Sequence, residues 1–161
     1  MKASSLLLFP TFVAQIEEFL TEEECNLLAN IALEQELSKN GALFGDGLST
    51  HTQGANFLSK TPKAVQDKLN LLLEAFIRDY GINSVKIVNS WVNLQKPGSY
   101  LKDHVHGGSD VSGALFLKVD EKSSPLCFSN PNPHVQNMSI VEVTEYSNNI
   151  CTIYPKNGML V

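Results

Sequence analysis

The hydrophobic periodicity of this chain changes at Gly81. Before that residue, apolar side chains recur at the three- and four-residue intervals of amphipathic helices. After it, apolar and polar residues alternate in short runs, and no helical pattern is present. Because the two periods belong to different secondary structures, the chain must combine a helical first part with a β-sheet second part.

Two helices are predicted before Gly81. The stretch Thr21-Glu22-Glu23-Glu24 is a capping box, and the helix that it begins is predicted to end near Leu37. Thr61 is the predicted cap of the second helix, and Gly81 lies just past its last periodic residue. Residues 41–54 have no sustained periodicity, so they are predicted to form a long irregular connection.

The second part of the chain is predicted to consist of strands. A long strand begins near Ser84 and places Trp91 and Asn93 on one face. Other runs have strand composition and are separated by Pro, Gly, Asn and Ser clusters: Leu6–Phe9, Ser112–Val119, Leu126–Ser129, Met138–Glu145 and Cys151–Tyr154. This pattern predicts an α+β fold in which two N-terminal helices brace a sandwich or jelly-roll barrel.

The length of 161 residues fits one domain, because single cores typically extend to about 100–200 residues. Residues 1–81 would supply the N-terminal strand and supporting helices, and residues 82–161 the jelly-roll core. The apolar run Gly158–Val161 has no turn or polar cap after it, which predicts a core that is incomplete at the C-terminus. An open strand edge there predicts a longer natural protein or a homodimer that covers the edge.

Charge and composition exclude several partners. A net charge of −5 without a basic cluster argues against nucleic acid. No apolar stretch approaches the roughly 20 residues that cross a bilayer, so no membrane association is predicted. The three cysteines lack metal or disulfide spacing, which favours a reducing cytoplasm. Of these, Cys127 and Cys151 fall in predicted strands and are expected to be small buried residues.

The densest group of chemically capable residues follows the Pro97-Gly98 turn. His104 and His106 are two apart, so an extended backbone would direct both imidazoles to one face, where they could bind a cation. Asp110 is close enough in sequence to offer a carboxylate oxygen. The alternative is one surface histidine and one histidine held by a core hydrogen bond, and spacing alone leaves both interpretations open.

These residues resemble a known family. Four motifs carry the resemblance: Trp91-Val92-Asn93, Pro97-Gly98-Ser99-Tyr100, His104-Val105-His106 and Ser112-Gly113-Ala114-Leu115-Phe116. With these motifs the chain resembles the 2-oxoglutarate-dependent iron(II) oxygenases of marine bacteria and phages, relatives of the prolyl 4-hydroxylases. Weaker similarity extends to both ends of the chain: Leu8-Phe9-Pro10, Thr52-Gln53-Gly54, Asn56-Phe57-Leu58 and Pro155-Lys156-Asn157-Gly158-Met159-Leu160-Val161.

The resemblance implies a double-stranded β-helix, the jelly roll of these oxygenases, with iron(II) bound between its two sheets. The family binds the metal with a His-x-acid pair and a distal histidine, and it uses 2-oxoglutarate and O₂ to hydroxylate a substrate. A 2-His-1-carboxylate set leaves one face of the iron open for the cosubstrate and O₂. The substrate here, a small molecule or a peptide, is not indicated by the sequence.

This chain departs from the family pattern at two places. His106 occupies the carboxylate position, so either His106 binds the metal, or Asp110 supplies the oxygen, or His104 binds alone, in that order of preference. The distal histidine and the basic residue for 2-oxoglutarate would follow Gly158, where the sequence ends. His51, in the long loop, and His134, in a turn-rich segment, are not expected to replace the distal ligand.

Four residues are candidates to contact 2-oxoglutarate. Tyr100 could donate a hydrogen bond, Asn93 and Ser112 could face the cavity, and Lys118 could pair with the distal carboxylate. Each has a structural alternative, such as packing for Tyr100 and a solvated surface position for Lys118. Trp91, the only tryptophan, is predicted to be a core residue rather than a substrate platform.

Two rival functions remain compatible with the sequence. The first is a non-catalytic jelly-roll domain that binds a partner or has a structural role and lacks a complete metal site. The second is a cupin-like metalloprotein that completes its ligand shell with His106 and water and works without 2-oxoglutarate. Metal binding separates these two rivals, and cosubstrate binding separates both from the oxygenase.

Overall fold

Helix α1 begins at the predicted capping box. The computed structural model of the chain describes residues 11–132, 139, 142–144 and 147–161, and α1 spans Glu22–Leu33 in it. The Thr21 backbone N–H donates to Glu24 Oε2 at 2.9 Å, and the Glu24 N–H donates to Thr21 Oγ1 at 3.2 Å. The helix ends before the predicted Leu37, because Ser38 exchanges two backbone hydrogen bonds with Ser49 and leaves the helical path.

Helix α2 spans Lys63–Asp79. The prediction that Thr61 caps it was wrong, since the Thr61 hydroxyl donates to the Leu58 carbonyl. Its C-terminus closes as a Schellman motif, in which Gly81 N–H bonds to the Arg78 carbonyl and Ile82 N–H bonds to the Ile77 carbonyl. Gly81 has φ +69°, a left-handed conformation that glycine adopts without steric cost.

Six short strands form three antiparallel pairs among the described residues. The strands are β1 (Leu43–Phe44), β2 (Leu48–Ser49), β3 (Asn93–Leu94), β4 (Tyr100–Leu101), β5 (Leu126–Ser129) and β6 (Ile150–Ile153). The pairs are β1 with β4, β2 with β3, and β5 with β6. The connection 41–54, predicted to be irregular, therefore supplies two strands and a 3₁₀ turn, His51–Gln53. Its pairing partners lie about fifty residues away, beyond the reach of a local pattern.

Only the end of the long strand predicted from Ser84 forms a strand, which is β3. Ser90 N–H donates to the Ala55 carbonyl, and its own carbonyl accepts from Phe57 N–H. These partners belong to turns rather than to a strand, so no continuous ladder forms before Asn93. The alternation of the sequence is correct for an extended segment, but the neighbouring backbone is too irregular to pair with it throughout.

The core forms where segment 158–161 pairs on both of its sides. Leu160 exchanges two backbone hydrogen bonds with Ile16, and Val161 exchanges two with Ala114. The predicted strand Ser112–Val119 is present only as this short pairing. The buried cluster around it consists of Phe19, Leu20, Cys25, Leu28, Val65 and Leu160. Two residues of α1 and one residue of α2 therefore pack on segment 158–161.

Lys68 links α2 to the beginning of α1 through hydrogen bonds. Its ammonium group donates to both Glu24 carboxylate oxygens, at 2.9 and 3.0 Å, and to the Phe19 carbonyl at 3.1 Å. The hydrogen bond from Lys68 and the one from the Thr21 backbone both lower the pKa of Glu24 below its ordinary value. One carboxylate therefore caps α1 and holds the second helix.

The strand predictions have mixed outcomes. The prediction for Leu126–Ser129 is confirmed as β5, and β6 begins one residue before the predicted Cys151. Cys127 and Cys151 are exposed, so their predicted burial was wrong: nothing in the described chain covers this hairpin. The run Leu6–Phe9 lies outside the described residues, as does most of Met138–Glu145.

The described chain is α+β, with two α-helices and small antiparallel sheets. Its ladders are too short to trace the double-stranded β-helix that the resemblance implies. None of the helices in the described ranges has the length and apolar character needed to span a bilayer.

Gly158→Ala should destabilise the fold more than the same substitution at a glycine whose Cβ position lies in open space. A Cβ at residue 158 would lie 2.3 Å from the Leu20 carbonyl oxygen, and Gly158 has φ +75°. We expect a loss of about 3 kcal/mol in the free energy of unfolding, measured by urea titration. Gly81→Ala is the matched control, because it has a similar φ and open space around it, and should cost about 1 kcal/mol. Equal losses would contradict the steric account.

Candidate metal centre

The β1–β4 pair directs the chain into the candidate site. Leu101 lies opposite Leu43, and the Lys102 N–H continues the pairing with a bond to the Ala42 carbonyl at 3.2 Å. Before β4, the buried Ser99 closes the Pro97-Gly98 turn, since its hydroxyl accepts from Lys96 N–H and donates to the Lys96 carbonyl. The loop that contains His104 and His106 therefore begins at a strand end whose position is fixed.

His104 and His106 converge as the sequence predicts for a shared face. Their Nε2 atoms are 3.0 Å apart. His104 Nδ1 is 2.7 Å from the Lys102 carbonyl oxygen, which can only accept, so this nitrogen carries the proton. In the neutral form of His104, Nε2 then holds the lone pair and accepts from His106 Nε2–H. A backbone carbonyl that orients a ligating imidazole in this way is typical of metal sites.

The surroundings of His106 favour its neutral form. Burial lowers the pKa of His106 below its ordinary value, and the positive charges that His104 and His51 carry when protonated lower it further. A neutral imidazole has the free lone pair that metal ligation requires. Folding lowers the pKa of His106, so the unfolded chain binds a proton at this residue more readily than the folded chain does. The contribution of His106 to the free energy of unfolding is therefore fully present above the unfolded-state pKa and decreases as the pH falls below it.

Trp91 contacts two imidazoles. Its ring centroid is 5.4 Å from that of His106 and 4.9 Å from that of His51, which meets the indole edge-on at 89°. Trp91 is half-buried. Trp91 was predicted to be a core residue, and only part of its side chain is buried. The rest of the side chain contacts the imidazoles of His51 and His106.

His51 is the residue that sequence reasoning left outside the site. Thr50 N–H donates to the Val92 carbonyl at 3.0 Å, and Val92 N–H donates to Thr50 Oγ1 at 3.0 Å. These bonds place the 3₁₀ turn that begins at His51 beside Trp91. No local pattern in residues 41–54 indicates this, because the contact depends on the pairing of β2 with β3. His134 lies outside the described residues.

The predicted cosubstrate residues have different surroundings. Asn93 on β3 has a buried Oδ1 for which the described residues offer no hydrogen-bond partner. Tyr100 is 57% exposed and stacks on Phe44 with ring centroids 5.0 Å apart. Ser112 is exposed, and the Lys118 ammonium donates to Asn26 Oδ1 on α1. Of the four, Asn93 is the residue with a buried polar atom that has no hydrogen-bond partner among the described residues.

Asp110 is exposed, on the far side of the Gly107-Gly108 turn. In the described part of the chain, no three His, Cys, Asp or Glu side chains come together as a metal-binding group. The arrangement therefore provides two converging nitrogens, His104 Nε2 and His106 Nε2, and a third histidine, His51, that contacts Trp91.

Comparison with known proteins gives one match. Residues 89–161 match the family model described as "Putative 2OG-Fe(II) oxygenase". The match supports this family. It covers just under half of the chain and includes Trp91, His104 and His106, whereas His51 precedes it. No curated protein and no solved structure matches the chain.

The lowered pKa of His106 can be measured by NMR titration of its imidazole. We expect a midpoint below that of an unstructured histidine peptide, because burial is the largest cause. In His104→Ala the midpoint should rise but stay below the peptide value, since one charge is removed and the burial remains. A midpoint unchanged by His104→Ala would contradict the close approach of the two rings.

Proposed function

We propose that this protein is an iron(II)- and 2-oxoglutarate-dependent dioxygenase that hydroxylates a substrate still to be identified. One observation carries the proposal: the His104 and His106 Nε2 atoms converge at 3.0 Å within the segment that matches the oxygenase family model. The narrower relationship, to members from marine bacteria and phages, stays a prediction.

The separation of the two nitrogens fits a shared metal. Imidazole nitrogens bind divalent transition metals at roughly 2.1 Å, so two cis ligands at right angles are about 3.0 Å apart. A tetrahedral angle would separate them by roughly 3.4 Å at the same bond length. The observed 3.0 Å is short enough for both nitrogens to bind one ion, and it is also the ordinary length of a hydrogen bond between the two rings.

The residues of this chain would bind and orient the reactants. When bound, iron(II) with 2-oxoglutarate and O₂ supplies the oxidising chemistry for hydroxylation. His104, oriented by the Lys102 carbonyl, and His106 would hold the metal, and Asp110 remains a proposed carboxylate ligand. The half-buried Trp91 would exclude water from one side of the imidazoles.

Proposed contacts to 2-oxoglutarate follow from exposure and polarity. Asn93 is favoured by its buried, unpaired amide oxygen, and rotation of the amide by 180° would place its N–H₂ group there as a donor to a carboxylate. Tyr100, Ser112 and Lys118 are exposed and can supply further donors. The bond to Asn26 must break before Lys118 can take that role.

A cupin-like metalloprotein is the second candidate. It is favoured by the donor set, because the described residues place two nitrogens together without a carboxylate. Such a site would bind a metal with His104, His106 and water and would not need 2-oxoglutarate. Cytoplasmic localisation and a homodimer stay predictions, but the strand edge expected to be open at Val161 is paired with Ala114 within the chain.

The decisive experiment is an anaerobic titration of the protein with iron(II) and 2-oxoglutarate, followed by the visible charge-transfer band of the chelate. We expect a band in the unmodified protein, and in His104→Ala a metal affinity lower by at least roughly 100-fold, because a ligand is removed rather than a supporting group. Val105→Ala is the matched control, since Val105 lies between the histidines with its side chain 91% exposed.

Two contrary results have different meanings. Metal binding that is lost in His104→Ala, with no band from 2-oxoglutarate, would replace the oxygenase with the metalloprotein. Absence of metal binding at millimolar iron(II) would rule out both and leave a non-catalytic domain.

A further inference from the structure

We infer that Asp103 is a positioning residue of the candidate metal centre: its carboxylate, held by Ser129, fixes the peptide whose carbonyl orients His104. The inference rests on the proposed function, because Asp103 acts on the metal only through His104. It also gives a role to the β5–β6 hairpin, which the proposed function does not involve. The hairpin would support the loop that contains the two histidines.

Ser129 contacts this loop directly. Its hydroxyl donates to Asp103 Oδ2 at 2.8 Å across 26 positions of the sequence. An ionised carboxylate makes this hydrogen bond stronger than one between two neutral groups. Within the described chain, it is the hydrogen bond that joins residues 103–111 to a distant segment, since the other hydrogen bonds of those residues stay within 102–109.

The backbone of Ser129 belongs to the longest ladder among the described strands. β5 and β6 pair over four residues each, and Ser129 lies opposite Ile150. The pairing continues past β5, because Asn130 N–H donates to the Asn149 carbonyl at 2.8 Å. The side-chain amide of Asn130 adds a hydrogen bond to the Asn148 carbonyl at 2.9 Å. The position of Ser129 is therefore set by the hairpin and does not depend on the histidine loop.

Hydrogen bonds hold both ends of the peptide between Lys102 and Asp103. At one end, Lys102 N–H donates to the Ala42 carbonyl at 3.2 Å, which extends the β1–β4 pairing. At the other end, the Asp103 side chain accepts from Ser129. The carbonyl oxygen of this peptide lies 2.7 Å from His104 Nδ1. Because a peptide is planar, the direction of its carbonyl depends on the backbone at both ends, so a shift at Asp103 would move the oxygen relative to the imidazole.

Asp103 and His104 are neighbours with different partners. His104 Nε2 is 3.0 Å from His106 Nε2, whereas Asp103 Oδ2 is bound by Ser129. Groups that orient a metal ligand typically change metal affinity by roughly 10–100-fold when they are removed. Asp103 acts one step further away, through the carbonyl that orients His104, so we expect an effect at the lower end of that range.

The test combines two measurements on the full chain. Cobalt(II) affinity is determined by titration, and the tautomer of His104 is determined in the metal-free protein from the nitrogen NMR shifts of its imidazole. Asp103→Ala and Ser129→Ala each remove one partner of the hydrogen bond, whereas Asp103→Asn removes the charge and keeps an acceptor oxygen. Thr152→Ala is the matched control, because Thr152 is exposed and lies opposite Cys127, on the same face of the hairpin as Ser129.

We expect Asp103→Ala and Ser129→Ala each to weaken cobalt(II) binding by about tenfold. Both should also lower the fraction of His104 that carries its proton on Nδ1, because the Lys102 carbonyl would no longer be held where it accepts that proton. The double variant should bind no more weakly than either single variant, since both remove the same hydrogen bond. Asp103→Asn and Thr152→Ala should match the unmodified protein in both measurements.

Three results would overturn the inference. Unchanged affinity and an unchanged tautomer in Asp103→Ala would show that the loop does not need the carboxylate. A loss in Asp103→Ala without one in Ser129→Ala would show that their hydrogen bond is not the cause. A loss in Asp103→Asn as large as that in Asp103→Ala would assign the effect to the charge of the carboxylate.

The proposed function fails on a different result. The unmodified protein could leave cobalt(II) unbound while the tautomer of His104 still changes in Asp103→Ala and Ser129→Ala. That outcome would remove the metal centre and still support the positioning of His104 by Asp103, because the tautomer is measured without metal.

Discussion

Backbone hydrogen bonds on both sides of Leu160 join segments that are far apart in the sequence. Ile16 pairs on one side, and Ala114 and Phe116 bond to the neighbours of Leu160 on the other. The core cluster assembles around this junction, and both helices contribute to it. Since Gly158 also bonds to Leu20, the start of α1 is positioned by the same segment. The helical half and the sheet half are thereby fixed to each other.

A second non-local pairing builds the candidate site. The β2–β3 ladder and the Thr50–Val92 bonds bring His51 to Trp91, while the β1–β4 ladder sets the origin of the His104–His106 loop. Each ladder is only two residue pairs long. Precise placement of three imidazoles therefore depends on a few backbone hydrogen bonds and on the turns at Ser99 and Thr50, rather than on an extended sheet.

The functional argument depends on ligand chemistry more than on fold. A family match over residues 89–161 supports the oxygenase class, and the two Nε2 atoms are close enough that both could hold one metal ion. His106 distinguishes this chain from the acid-containing pattern that the sequence resembles. Asp110 is the residue proposed to supply the carboxylate that this pattern requires.

Local patterns in the sequence predicted several local features, although the predicted Thr61 cap of α2 was wrong. The capping box of Thr21 and Glu24, the glycine after α2 and the strand Leu126–Ser129 were all predicted, because each depends on neighbours within a few residues. The convergence of His104 and His106 was also predicted, since residues two apart in an extended segment share a face. Pattern reasoning failed for the end of α1 and for the length of the strand after Ser84. In both places a distant backbone segment determines the conformation.

The sequence by itself determined the order of helices and strands, the two-histidine motif and the absence of an acid at residue 106. Only the tertiary structure decided that residues 41–54 supply two strands, that Trp91 is half-buried, and that His51 contacts Trp91. The physical reason is that propensity and periodicity act over a few residues. The ladders that assemble this site join residues about 40 to 60 positions apart, and nothing in the intervening sequence specifies their partners.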